Sequence, residues 1–215
     1  MQVIKCNYSG IYSQENFLDG TVLDFSALEG TECYCSAESA AAIRSALAPY
    51  GPGGIHWIDS GDYHYTSLFI QELITEPYSL VLFDNHPDDQ PGAFGSDLLS
   101  CGGWVERARR LPLLAADVWI RSATDFPILD TLPPLPVYLS VDLDVLDPRF
   151  ARTDWDQGRM TLDELAAALR KVRAEHRVLG VDLCGGITTQ KGASPEDLAL
   201  NASTGEALFG IFSDD

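Results

Sequence analysis

The chain has 215 residues, 46% hydrophobic and 10% aromatic, which is enough apolar material for a sizeable core in one domain spanning residues 1–215. Its 32 acidic against 14 basic side chains leave a formal net charge of −18, a surface that repels nucleic acid and anionic membranes. The sequence shows no apolar run of about 18 residues that would span a membrane, no signal-peptide pattern at its start, and an odd number of cysteines, five, as expected of reduced thiols. It therefore reads as a cytoplasmic protein with a small-molecule partner; self-association as a homo-oligomer is left open.

In chain order, apolar stretches predict strands at Val3–Asn7, Val22–Phe25, Gly54–Asp59, Ser79–Asp84, Asp117–Arg121, Pro136–Asp142 and Val178–Leu183. Between them fall helical stretches. Ala37–Leu47 has Ser36 as its cap, and Tyr65–Glu72 and Trp104–Arg110 follow. Leu162–Ala174 is opened by Thr161 with Glu164 three positions on, a reciprocal capping pattern. Pro195–Leu208 has Ser194 as cap and Pro195 in its first turn. Several strands are apolar nearly throughout, as strands covered on both faces are. Strand and helix alternate, which predicts an α/β fold with a mainly parallel sheet between helical layers. Ligands of such sheets bind beyond the carboxyl ends of the strands.

Three stretches at those ends concentrate polar chemistry: Gly61-Asp62-Tyr63-His64, Asp84-Asn85-His86-Pro87-Asp88, and Ser140-Val141-Asp142-Leu143-Asp144-Val145-Leu146-Asp147-Pro148. In the second, Asp84, His86 and Asp88 alternate, so an extended segment would project all three to one side; Pro87 opposes helix formation there. By the same alternation Asp142 and Asp144 share a face. Neighbouring ionised carboxylates repel unless a cation lies between them. Two imidazoles and four carboxylates (His64, His86, Asp84, Asp88, Asp142, Asp144) are what two adjacent divalent cations need. Each stretch alone also reads as ordinary cap or turn chemistry. An EF-hand starting at Asp142 is opposed by the missing central glycine and missing twelfth-position glutamate.

Together these stretches resemble the motifs of the arginase–agmatinase (ureohydrolase) family. Residues 84–88 are similar to its Asp-Ala-His-x-Asp motif, residues 140–148 to its Ser-x-Asp-x-Asp-x-x-Asp-Pro motif, and residues 61–64 to a loosened Gly-Gly-Asp-His. The resemblance implies a three-layer αβα sandwich of the arginase/deacetylase type. It also implies two Mn²⁺ per chain, with Asp84 and Asp142 bridging them, His64 and Asp88 completing one site, and His86 and Asp144 the other. Fe²⁺, Co²⁺ and Zn²⁺ are left open by the sequence. The implied reaction is attack by a metal-bridging hydroxide on an sp² carbon bonded to nitrogen, with Asp144 or Asp88 orienting the nucleophile and moving its proton. The substrate would carry a linear, non-peptide C–N bond of guanidino, formimino or amide type.

The likeness has gaps. The chain is short for the family. Gly185 and Gly186 stand where an acid that pairs with a guanidinium is expected. No histidine occurs in residues 99–104, where many members have a proton-shuttling one; Cys101 there reads as a pocket-lining or small core residue. Asp182, Asp62 and Asp147 are candidate partners of the ligands, Tyr65 a candidate oxyanion donor, and residues 153–158 a candidate pocket wall. His56 and His176 read as structural. These gaps motivate a rival reading, a catalytically inactive, metal-stabilised small-molecule-binding protein of the same fold. Phosphoester hydrolysis is opposed by the lack of a basic cluster near the motifs.

Overall fold

The apolar stretches become strands because each has a hydrophobic layer on both sides. A computed structural model describes residues 1–13, 19–92 and 98–213. Among these the strands are β1 (Val3–Asn7), β2 (Thr21–Asp24), β3 (Tyr34–Cys35), β4 (Ile55–Ile58), β5 (Tyr78–Phe83), β6 (Leu99–Ser100), β7 (Leu114–Ile120), β8 (Val137–Asp142) and β9 (Val178–Cys184). Seven of them form one sheet in the order β2-β1-β4-β9-β8-β5-β7, and every pairing in it is parallel. The remaining two, β3 and β6, form a short antiparallel pair that the apolar pattern does not predict.

Successive side chains of a strand face opposite layers. Leu80, Leu82, Tyr138 and Cys184 therefore pack toward α1 (Ala37–Leu47), α2 (Thr66–Gln71) and α3 (Trp104–Ala108). Val81, Phe83, Leu139, Val141, Val181 and Leu183 pack toward α4 (Leu162–Glu175) and α5 (Pro195–Ser213). The result is the three-layer αβα sandwich. Helix α5 runs five residues past Leu208, because Ile211 and Phe212 in its last turn are themselves buried. The expected caps form: Ser36 Oγ accepts from Ser39 N at 3.2 Å, and Thr161 and Glu164 cap each other, which contributes about 1 kcal/mol per helix start.

Register positions the site. Phe83 lies beside Val141, Asp142 beside Cys184, and Trp57 beside Leu183. The carboxyl ends of β4, β9, β8 and β5 thus finish at one level, and the polar residues that follow β4 and β5 and end β8 emerge side by side. β4 and β5 follow one another along the chain as strands of this sheet yet are separated in it by β9 and β8.

Candidate metal centre

After β4, Ser60 caps a 3-10 turn, Gly61–Tyr63, that ends at His64. The ring of His64 is 1% exposed. Its Nδ1 stands 3.0 Å from Asp88 Oδ2 and 3.3 Å from both Asp84 Oδ2 and Asp142 Oδ2. Its Nε2 lies 2.9 Å from Ser140 Oγ, and Ser140 donates onward to Asp182 Oδ1 at 2.7 Å. Since that hydroxyl proton is committed to Asp182, Ser140 accepts from Nε2–H, so in the neutral ring Nδ1 is the nitrogen whose lone pair is available to a cation. Asp182 therefore partners a candidate ligand, as its position in the sequence suggests.

The second stretch is not extended. Asp88 has φ +48°, and the chain turns so that His86 and Asp88 part company: Asp88 joins His64, whereas His86 Nδ1 lies 2.8 Å from Asp144 Oδ2 and 3.7 Å from Asp84 Oδ1. Simple alternation is thus the wrong reason for this group of residues, and a turn replaces it. His86 N donates to Asp84 Oδ1 at 2.6 Å, and Trp104 Nε1, at the start of α3, donates to Asp88 Oδ2 at 2.7 Å. Asp144 is likewise presented by a 3-10 turn, Leu143–Val145, and not by the strand. Asp144 N donates to Asp142 Oδ1 at 2.8 Å, and Asp144 Oδ1 accepts from Asn85 N at 2.9 Å.

So many acids at close quarters disturb one another. Burial and then the charges of Asp144 and Asp84 push the Asp142 carboxyl well above its usual range. Burial raises Asp144 to about 6, against the hydrogen bond from His86. Burial alone would depress His64, but its contacts with Asp84 and Asp88, and the charges of Asp88 and Asp142, carry it well above normal. Hydrogen bonds to Asp144 and Asp84 raise His86 to about 10. The cluster thus draws in positive charge. Its spacing suits divalent ions: ligands at right angles about a cation with bonds near 2.1 Å lie about 3.0 Å apart, close to the 3.0–3.3 Å found around His64 Nδ1. Two groups of donors lie within 4.8 Å of one another and share Asp84, namely His64, Asp84 and Asp88, and Asp84, His86 and Asp144.

Above the cluster opens a cavity of about 250 Å³, walled by Cys33, Tyr34, Gln90, Ser100, Cys101 and Trp155. Cys101 and the 153–158 segment line it, through Trp155, as the sequence suggests. Other expectations do not hold. Tyr65 is fully buried and donates to Thr31 O at 2.7 Å, turned away from any reacting group. Asp147 pairs with exposed Arg149 at 2.8 Å. Asp62 bonds Trp155 Nε1 and Lys191 Nζ at 3.1 and 3.2 Å, so it holds the wall and not a ligand. His56 is buried within β4, as a structural residue would be, but its ring nitrogens find no well-aligned partner among the described residues. His176 caps α4. Gly185 has φ +99°, and a Cβ there would lie 1.9 Å from Asp142 Oδ1, so the position has no room for an acid. Sequence reasoning missed Trp104 as a holder of Asp88, and missed Cys184, whose sulfur lies within 4.8 Å of donor atoms of His64 and Asp142. The only signal for Cys184 was its alternation with Asp182 along β9.

Fold and site together define a three-layer α/β protein with a paired acid–imidazole cluster, a candidate metal centre, at its strand tips. The sequence profile of the arginase family matches residues 126–185. The chain is 31% identical over 195 residues to an uncharacterized protein of Thermotoga maritima, covering 83% of this chain and 77% of that one. Its fold is similar to that of proclavaminate amidino hydrolase from Streptomyces clavuligerus, at 18% identity and a TM-score of 0.72, over 98% of this chain and 90% of that one. It is also similar to that of formimidoylglutamase from Bacillus subtilis, at 14% identity and a TM-score of 0.60, over 98% and 85% of the two chains. The chain belongs to the arginase family of ureohydrolases. Among the described residues no helix is long and apolar enough to cross a membrane.

Proposed function

We propose that residues 1–215 act as one domain, a cytoplasmic hydrolase that holds two divalent cations, preferentially Mn²⁺, and cleaves a linear non-peptide C–N bond. One observation carries this reading: three separate strand tips bring oxygens of Asp84, Asp88 and Asp142 to 3.0–3.3 Å from one nitrogen of His64, while His86 reaches Asp144 at 2.8 Å. In this reading Asp84, Asp142, His64, Asp88, His86 and Asp144 would hold the two cations, His64 and Asp88 with one and His86 and Asp144 with the other, and a mixture of carboxylate and imidazole would suit manganese. When bound, the pair supplies Lewis acidity and lowers the pKa of a shared water toward neutrality.

The chain's own residues do the rest. Trp104 Nε1 holds Asp88 and Asn85 N holds Asp144, so a proton released at the reacting water meets a carboxylate oxygen of fixed position. The Ser140–Asp182 relay keeps His64 in one tautomer and orientation. Trp155 and Tyr34, both part-exposed, wall the cavity and exclude water from a slender substrate. Two of the similar structures are named for amidino and formimidoyl compounds, which supports a substrate with a linear carbon–nitrogen group. With no room for an acid at Gly185, a guanidinium loses its expected partner, and formimino or amide groups are favoured.

The same glycine, with Cys101 in place of a shuttle histidine, favours the second reading, a metal-stabilised binding protein without turnover. Manganese-loaded protein assayed for amine release against guanidino, formimino and acyl-amine compounds separates the two. The first reading expects close to two metal ions per chain, turnover on one class, and loss of both in Asp142→Ala. Saturable binding without product supports the second reading. Trace metal only, at full reconstitution, sinks both.

A further inference from the structure

Cys184 has no part in the reaction above. It ends β9 directly beside Asp142 and is 1% exposed. Its sulfur, an oxygen of Asp142 and a ring nitrogen of His64 lie within 4.8 Å of one another, and all three residues are buried. The group that contains His86 is made of nitrogen and oxygen donors alone.

We propose that Cys184 is an additional metal ligand, which makes the His64 half of the centre a sulfur-containing site that prefers a thiophilic ion such as Zn²⁺, Fe²⁺ or Co²⁺ over Mn²⁺. This rests on reading the cluster as a metal centre and changes which ion one half of it takes. Sulfur is the softest donor available to a protein, and a single thiolate among carboxylates and imidazole biases a site toward those ions. The geometry is within reach. Metal–sulfur and metal–nitrogen bonds of about 2.3 and 2.1 Å place two ligands of one ion at most about 4.4 Å apart, so a bound of 4.8 Å closes by side-chain adjustment with the strand ends left in register. The thiol donates to Ser60 O at 3.3 Å, and a cation takes the sulfur by displacing that proton to solvent. A sulfur–metal bond forms, a sulfur–hydrogen bond breaks, and nothing is oxidised or reduced. A buried cysteine is usually a small hydrophobe, and both Cys35 and Cys184 belong to the apolar layer on the α1 side of the sheet. Cys184 differs in facing a histidine and an aspartate that themselves face candidate ligands.

Cobalt reports sulfur ligation without any activity assay. The full-length protein loaded with Co²⁺ is compared with C184S and C184A, and with C33S and C101S because those two thiols line the cavity above the cluster. The wild type is expected to show visible d–d bands together with an intense near-ultraviolet sulfur-to-cobalt band. C184S should keep bound cobalt and lose that intense band, and C33S and C101S should keep both. Loss even of a group that only supports a ligand costs about 10–100-fold in metal affinity. Zinc affinity in C184S is therefore expected to fall at least about tenfold, with a smaller change for manganese. Cobalt bound with d–d bands but no sulfur band overturns the proposal and leaves the metal centre standing. A band that survives C184S and disappears in C33S or C101S also overturns it. No bound cobalt at all removes the metal-centre reading and this inference with it. X-ray absorption of the zinc-loaded wild type needs no variant: a sulfur scatterer near about 2.3 Å supports the assignment, and a shell of oxygen and nitrogen alone refutes it.

Discussion

Replacing Gly185 by alanine is the sharpest probe of the site's geometry. The residue sits at φ +99°, and the added Cβ would come 1.9 Å from Asp142 Oδ1 and 3.0 Å from Leu143 N. Two costs arise. Holding a non-glycine residue in that backbone region costs about 1–3 kcal/mol. Forcing a methyl group into occupied space costs about 1–3 kcal/mol more. The carboxylate has little freedom to yield, because its Oδ1 accepts from Asp144 N at 2.8 Å, and rotating it away breaks the bond that presents Asp144. The variant is therefore expected to lose about 2–6 kcal/mol of stability and at least about tenfold in manganese affinity. Urea unfolding with and without chelator measures the first, and calorimetric titration with Mn²⁺ the second. A G185A protein within about 0.5 kcal/mol of the parent, with unchanged manganese affinity, would show that Asp142 does not stand against this glycine and would undo the site as described.

Ser140→Ala cuts the chain from His64 to Asp182 and is expected to lower metal affinity about 10–100-fold with little change in far-ultraviolet circular dichroism; equal affinity in a competition titration would remove the relay from the argument. Asp142→Asn should leave metal-stripped protein as stable as the parent at pH 7.5, or more so, because burial and the charges of Asp144 and Asp84 disfavour the ionised form. It should also abolish the rise in melting temperature on adding manganese, a rise worth about 2.7 kcal/mol at a hundredfold excess over Kd; a full manganese response in this variant contradicts the assignment. Burial pushes the His56 imidazole down to about 4. The neutral ring is the one that folds, so stability is complete above the unfolded value near 6.5 and falls as pH drops from there to about 4, by at most about 3 kcal/mol. Asp144 and Asp182, raised by burial, contribute in the opposite sense, so the loss is read as the difference between parent and His56→Leu in urea titrations at pH 7.5 and 5; parallel curves would mean the ring is not desolvated.

Much of this could be read locally. Val81, Val141 and Val181 announce strands because they are apolar on both faces, and Ser36 and Thr161 announce helix starts because a hydroxyl satisfies amide groups only three residues away. Asp84 and Asp142 are placed by the ends of those strands. Alternation in an extended chain would put Asp84, His86 and Asp88 on one side and Asp142 beside Asp144, whereas the turn at Asp88 and the 3-10 turn at Leu143–Val145 send His86 to Asp144 and Asp88 to His64. Tyr65 failed as an oxyanion donor because the direction of a side chain leaving a short helix depends on what packs behind it.

By itself, then, the sequence determined the strand–helix alternation, the six acid and imidazole side chains, and their position just beyond strand tips, since each of these depends on neighbours a few residues away. Only the tertiary structure decided that β9 lies between β4 and β8. That insertion sets Cys184 beside Asp142 and Asp182 behind Ser140, and presses Gly185 against the Asp142 carboxylate. Strand order is a matter of how separate apolar faces cover one another, and no spacing along the chain records it.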